Sequence, residues 1–225
     1  MSTETIARQE LATVFKLIHK FGWDDLIYTH ATIRISGTDT FLINDYRLMF
    51  NEITAENLVK VNLQGEVIGN GVINPAGYII HSAIHEDKPK VRCVIHLHTQ
   101  AGTAVSTDSR GLWPISQKAL LVLNSLSYHD YQGIVVDANE KVLLQKNLGN
   151  NRAMILRNHG LLTVGDTVAE AFLTMRTLQL ACEIQIACDY DSSIKLDTNI
   201  QKKISSQFDQ RSLDFSWQAL VRQVS

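Results

Sequence analysis

Short runs rich in β-branched and aromatic residues interleave with stretches of helical apolar spacing along this whole chain, without the strict alternation of a doubly wound sheet. No linker, internal repeat or low-complexity stretch divides them. The pattern predicts one domain over 1–225, with a core at about 5–190 and a more polar tail at 190–225. Its centre would be a mixed sheet covered by helices. A chain of 225 residues buries enough surface to need no disulfide for stability.

Residues 4 to 21 place Ile6, Leu11, Val14, Phe15, Ile18 and Phe21 near helical spacing, and Gly22 stops that helix. Thr32 to Ile35, Phe41 to Ile43, Leu58 to Asn62 and Glu66 to Ile68 read as antiparallel strands punctuated by Gly37, Asn44-Asp45 and Gln64-Gly65. Asn74-Pro75-Ala76-Gly77 opens a helix to about Asp87. Val91 to His96 is a compact strand, and Thr99 to Ser106 a small-residue helix. Lys118 to Leu126 fits helix or loop. Ile134 to Val136 reads as a strand, and Ala138 to Asn147 as a short helix. Ala153 to Leu156 and Leu161 to Val164 are strands flanking Arg157-Asn158-His159-Gly160, and Thr167 to Ala187 is a long helix. A short amphipathic helix is expected over Phe215 to Val224.

Formal net charge is −2 with Lys and Arg dispersed, so the basic stripe of a nucleic-acid binder is missing. The first residues, MSTETIARQE, do not read as a secretory signal, and no window approaches a membrane-spanning length. Cys93, Cys182 and Cys188 form no CxxC pair and read as buried thiols in a reducing compartment, which makes the cytoplasm the expected location. There is no GxGxxG, no GxxxxGK[ST] and no GxSxG, which argues against nucleotide-binding and serine-hydrolase readings.

The histidines carry more. His96-Leu97-His98 closes the apolar run VRCVIH, and residues i and i+2 of a strand share a face, so both imidazoles can reach one ion. His159 offers a third ligand on a tight turn, with Gly160 suited to a chain reversal bringing backbone close to a ligand. By spacing alone, the HxH pair reads equally as two histidines hydrogen-bonded at a strand end. His81 and His85 have the i,i+4 spacing of helical metal ligands, but Ser82 stands where HExxH has glutamate. His81 is therefore expected to face the sheet, and His85 to lie near the surface. His19, His30 and His129 have no partner in their own segments. Asp24-Asp25 reads as a solvated helix end.

With that motif placed, the chain resembles the class II aldolase/adducin superfamily, and its adducin-like branch in particular. The matching stretches are GWDDLIYTHATIRI (22–35), NEITAENLVKVNLQGEV (51–67), NPAGYIIHSAIH (74–85), VRCVIHLHTQAGTAVS (91–106), YHDYQGI (128–134) and AMILRNHGLLTVGDTVAEAF (153–172). The resemblance implies a single-domain three-layer α/β/α sandwich on a mixed, largely antiparallel sheet. It also implies a homotetramer with active sites at subunit interfaces. In the family's sugar-phosphate aldolases, zinc sits on histidines matching His96, His98 and His159, polarises a carbonyl and stabilises an enediolate. Those enzymes carry an acid/base glutamate in a Pro-Ser-Ser-Glu run, which here reads Pro75-Ala76-Gly77-Tyr78, with Gly77 in the glutamate's place. The serines that help hold a substrate phosphate are gone too, and the Gly-Asn of the other phosphate turn reads Thr29-His30.

The expected function is thus a metal-dependent lyase acting on a small hydroxy- or keto-acid or related carbonyl compound. Its ligands are His96, His98 and His159, its ion zinc, with Fe²⁺, Mn²⁺, Co²⁺ or Ni²⁺ admitted by the same donor set. Tyr128, His129 and Tyr131 in YHDYQG are acid/base candidates, since the aldolases bring in a tyrosine from a neighbouring subunit; each also fits a packed aromatic turn. Tyr78, His30 and Glu86 are further candidates. The alternatives are a non-catalytic adducin-like assembly module and an Fe(II)-dependent oxygenase. No nucleic-acid or membrane partner is expected.

Overall fold

The computed structural model of the chain describes residues 1–133, 138–205 and 210–224. Strands β1 (His30–Arg34), β2 (Thr40–Ile43), β3 (Val59–Asn62) and β4 (Val67–Ile68) form the expected antiparallel run, each pairing with the next. Four more strands follow: β5 (Cys93–Leu97), β6 (Leu126–His129), β7 (Ala153–Leu156) and β8 (Gly160–Gly165). Together they make one sheet in the order β4-β3-β2-β1-β5-β8-β7-β6. Every pairing is antiparallel except β6 with β7. That parallel pair is joined across a helix, as the geometry of a parallel connection requires.

The helices are α1 (Thr3–Lys20), α2 (Pro75–Asp87), α3 (Gln100–Ser106), α4 (Gln117–Leu123), α5 (Ala138–Leu148), α6 (Val168–Ile186), α7 (Thr198–Ser205) and α8 (Gln210–Val221). Strand β5 shows why they fall into two layers. Alternate residues of a strand face opposite sides. Cys93, Ile95 and Leu97 pack in one core with Phe15 and Ile18 of α1, Val105 of α3 and Met175 of α6. Val94 packs in a second core with Ile80 and Ile84 of α2 and Leu144 and Leu148 of α5. The result is a single-domain α/β/α sandwich with a mixed sheet. His96 has the parity of Val94 and so faces the α2/α5 layer.

Helix α2 starts where the sequence places it. Pro75 occupies the first turn, and the Asn74 side chain accepts from the amides of Ala76 (3.1 Å) and Gly77 (3.5 Å). Helix α6 opens on a capping box, Thr167 accepting from the Glu170 amide at 3.1 Å while Glu170 accepts from the Thr167 amide at 3.3 Å.

Several expectations change. The open stretch at 118–126 resolves into α4, followed by β6 from Leu126. Tyr128 and His129 therefore lie on a strand and not in an aromatic turn. Ile134 to Val136 falls outside the described residues. The tail contains α7 as well as α8, and Trp217, Leu220 and Val224 pack on the larger core. Cys93 and Cys182 are buried as expected, whereas Cys188 is exposed.

His85 is the clearest correction: it is buried, not near the surface. Its Nε2 lies 2.9 Å from Thr32 Oγ1, and the same hydroxyl lies 2.6 Å from His81 Nδ1. Arg34 donates to the His85 carbonyl. A lone polar side chain would be costly between helix and sheet; two imidazoles sharing one hydroxyl are tolerated there. Burial holds His81 well below its usual range, and burial followed by the Arg34 charge takes His85 down to about 3.

Between that value and the ordinary histidine value of 6.5 the unfolded chain binds more protons than the folded one. Stability from this group is therefore complete above the ordinary value and is lost as pH falls, at about 1.4 kcal/mol per unit of displacement. Urea-unfolding midpoints measured from about pH 7 to 4.5 should drop with acidification, and more shallowly in His85→Gln. Identical slopes for the two proteins would contradict a neutral buried His85.

Candidate metal centre

Three imidazoles meet where β5, the segment after it and the β7–β8 turn converge. His96 is the fourth residue of β5 and is 1% exposed. The strand ends at Leu97, and His98 follows before the Thr99 side chain caps α3 by accepting from the Gly102 amide at 3.1 Å. His159 is carried on the turn between β7 and β8. The ring centroids of the three lie 4.7 Å apart pairwise.

The turn is fixed from α3. Ser106 Oγ accepts from the His159 amide at 3.2 Å, its carbonyl accepts from the Asn158 amide at 3.1 Å, and Thr103 Oγ1 donates to the His159 carbonyl at 3.3 Å. The left-handed residue of the turn is Asn158, with φ +56°, and not the expected Gly160. Gly160 serves a close approach of another kind: a Cβ there would sit 2.4 Å from the Leu97 carbonyl oxygen. The glycine lets β8 lie tightly against the end of β5.

Hydrogen bonds orient the rings. His96 Nδ1 donates to the Leu161 carbonyl at 3.0 Å, and His98 Nδ1 donates to Asp25 Oδ2 at 3.1 Å. Both Nε2 atoms are then bare lone pairs. They face each other at 2.9 Å, and His98 Nε2 lies 2.9 Å from His159 Nε2. Ligand nitrogens of the three residues all fall within 4.8 Å of one another. Tetrahedral zinc with bonds of roughly 2.0–2.1 Å holds its nitrogens a few tenths of an ångström further apart, a small adjustment. Converging lone pairs repel unless a cation lies between them, so the donor set fits a divalent ion.

The protonation states agree. Burial, then His159, His98 and His30, pushes His96 well below its usual range, and burial, then His98, takes His159 to about 4. Both are neutral at pH 7, the form a metal requires.

A cavity of about 440 Å³ opens over the three rings, and Tyr28, His30, Tyr46, Asn74 and Tyr131 are among its lining residues. This volume suits a small molecule. No Lys or Arg is found among the described residues that line it.

The other candidates are distributed unevenly around this cavity. Tyr131 is half exposed, with its ring centroid 6.3 Å from that of His159. His129 is buried beside it, with Nδ1 2.9 Å from Asn147 Nδ2 and Nε2 3.7 Å from a Glu140 carboxylate oxygen. Tyr128 points to the other face of the sheet. It packs on the larger core, its hydroxyl accepts from the Leu112 amide at 2.9 Å, and the Arg157 guanidinium lies over its ring. Tyr78 donates to the Leu63 carbonyl at 2.7 Å, and Glu86 pairs with Lys141 at 2.8 Å.

One residue at the centre escapes sequence reasoning. Asp25 is no solvated helix end; it holds His98 across 73 residues of sequence. His30, one of the further candidates, lines the cavity next to His96, its opposite residue in the β1–β5 ladder. Asp25 has no local signal, because it acquires its partner only through the fold.

The family description class II aldolase and adducin N-terminal domain matches residues 9–186. A Pseudomonas aeruginosa protein assigned provisionally to the class 2 aldolases is 51% identical over 187 residues, which are 82% of this chain and 72% of that protein. Alpha-adducin of Rattus norvegicus is 48% identical over 189 residues, covering 81% of this chain but only 26% of the adducin. Among solved structures, an aldolase II superfamily protein from Pseudomonas syringae superposes with a TM-score of 0.95 at 39% identity, over 100% of this chain and 94% of that one. L-fuculose 1-phosphate aldolase from Glaciozyma antarctica superposes with a TM-score of 0.87 at 25% identity, over 98% and 89%. By sequence and by architecture, this chain belongs to the class II aldolase and adducin N-terminal domain family.

Proposed function

We propose that the chain is a metal-dependent lyase-type enzyme that acts on a small hydroxy- or keto-acid or a related carbonyl compound. Aldol cleavage, decarboxylation or proton abstraction beside a carbonyl would be its chemistry. The observation that carries this reading is the convergence of the His96, His98 and His159 nitrogens at the floor of a small-molecule cavity. These three residues hold the ion, zinc first, with Fe²⁺, Mn²⁺, Co²⁺ and Ni²⁺ compatible with the same nitrogens. Bound there, the ion supplies Lewis acidity toward a substrate oxygen. Asp25 fixes the His98 ring and makes it a better donor, as a carboxylate behind a ligating histidine does.

Tyr131, at the cavity edge beside His159, is the proton-carrying candidate within this chain, with His129 behind it. Within this chain the Tyr128 hydroxyl is committed to Leu112. The lack of Lys and Arg among the described residues that line the cavity favours a substrate without a phosphate. The half-exposed Tyr28 and Tyr131 at the cavity rim fit a homotetramer whose subunits complete one another's sites. Free thiols at Cys93, Cys182 and Cys188 fit a cytoplasmic setting. A second reading, an oligomeric assembly module of the adducin kind, is favoured by the identity to alpha-adducin and by Gly77.

Metal content of the untagged protein separates these readings. Mass spectrometry should find about one divalent ion per chain, lost in His96→Ala/His98→Ala while a tetrameric mass by light scattering persists. A wild type that binds none of the five metals after reconstitution would overturn the centre. Asp25→Asn should weaken zinc binding by roughly 10–100-fold in chelator competition. Unchanged affinity would remove Asp25 from the account. Turnover of some member of a panel of hydroxy- and keto-acids is the expected outcome with one of these ions bound. A uniformly inactive panel would leave the assembly module as the better reading.

A further inference from the structure

Two arginines sit next in sequence to residues that line the metal cavity, Arg47 after Tyr46 and Arg157 before Asn158, yet neither lines it. Asp45 grips Arg47 by two bonds, Oδ1 accepting from Nε at 2.9 Å and Oδ2 from a terminal nitrogen at 2.6 Å. The same carboxylate accepts from the Val72 amide at 3.3 Å, which fixes it in place. Arg157 donates to the Asp108 carbonyl at 3.2 Å, lies 3.6 Å from Asp130 and stacks 4.6 Å over the Tyr128 ring. Both guanidinium groups are thus held away from the site.

The start of α2 is shut in a different way. Asn74 and Ala76 line the cavity there, and a helix N-terminus ordinarily offers free amides to an anion. From 75 to 78 none is free. Pro75 has no N–H, Asn74 Oδ1 accepts from Ala76 at 3.1 Å and Gly77 at 3.5 Å, and the Asn74 carbonyl accepts from Tyr78 at 2.9 Å. The His30 ring packs over the same turn, its Cδ2 lying 2.6 Å from where a Cβ on Gly77 would stand.

What remains around the cavity is polar and almost uncharged. For the hydroxyls of Tyr28, Tyr46 and Tyr131 no hydrogen bond to another described residue is found, whereas those of Tyr78 and Tyr128 are both taken. With its oxygen in use, the Asn74 side chain is left with a neutral donor, Nδ2. Asp25 is the one Asp, Glu, Lys or Arg among the described lining residues, and it is bound to His98. A divalent ion on the three histidines adds two positive charges, so ion and Asp25 together leave one. A single substrate carboxylate cancels it. A second carboxylate would enter with no partner, and an unpaired charge away from water is costly.

Resting on the metal-centre reading above, we propose that this cavity selects singly charged 2-hydroxy or 2-keto acids with a polar but neutral far end, and rejects diacids of the same size. The one carboxylate goes to the ion, and Tyr28, Tyr46, Tyr131 and Asn74 receive the far end. Selectivity arises because Arg47, Arg157 and the amides of α2 are all engaged elsewhere. At about 440 Å³ the cavity has room for a short-chain acid of this kind.

Calorimetry on the zinc-loaded protein with 2-hydroxyglutarate and its 5-amide measures the preference directly, since the two ligands match in size and differ by one charge. The distal group is too far from the hydroxyl to close a small chelate ring on the ion. The 5-amide should bind the wild type about tenfold more tightly, the penalty for one charged group left unpaired. Tyr46→Arg should strengthen the diacid about tenfold and leave the 5-amide within about threefold. Tyr28→Arg, at the half-exposed rim, should do the same and serves if Tyr46→Arg does not fold. Equal affinities in the wild type, a tighter diacid, no binding of either ligand, or an unchanged ratio in the folded arginine variants would each overturn the proposal. Zinc content of the same samples keeps two failures apart. Protein without zinc sinks the metal centre, whereas zinc-loaded protein without the preference sinks charge selection alone.

Discussion

The pairing of β1 with β5 decides where the polar groups of this molecule go. In that ladder Ala31 lies opposite Ile95 and Ile33 opposite Cys93, and all four belong to the larger core. Those apolar pairs lock the register, because a slip by one residue would turn each of them to the wrong face. His30 against His96 and Thr32 against Val94 follow as the alternate pairs. The histidine of one strand is thus set beside the histidine of the other by hydrophobic burial elsewhere in the ladder, with no attraction between the rings required.

The face that results is unusually polar for the middle of a sandwich. His30, Thr32, His81, His85 and His96 are all buried between the sheet and α2. Each buried imidazole would be costly alone, and shared hydrogen bonds make the set tolerable. The opposite face shows the contrast, with Phe15, Phe172, Met175 and Leu178 forming an ordinary apolar core. One layer therefore carries most of the hydrophobic stabilisation, which leaves the other free to hold groups selected for their chemistry.

What the sequence made legible were features with a local signature. Helix α2 was visible through Asn74-Pro75, α6 through its apolar face, and β5 through its uninterrupted apolar run. His96 and His98 stood out because they are two residues apart. His81 was expected to face the sheet from its helix, and it does so against Thr32 of β1. His85 was misplaced because its partner, Thr32, is 53 residues away and nothing around it announces burial. Asp25 was hidden for the same reason, and β6 because its pairing with β7 crosses a helix. Long-range partners chosen by topology leave no periodicity to read.

Gly77 and His30 also constrain how this site could have come to be. The imidazole of one occupies the first atom of any side chain at the other. The two positions are therefore coupled by steric exclusion: a carboxylate at 77 and a ring at 30 cannot coexist in this geometry. A lineage passing from one arrangement to the other could not do so through a single replacement at 77 while the ring remained. In this geometry its route must place glycine at 77 before the ring at 30 arrives, a stage with neither group. The pair behaves as one heritable unit, and sequences of this fold should fall into two sets with few between them.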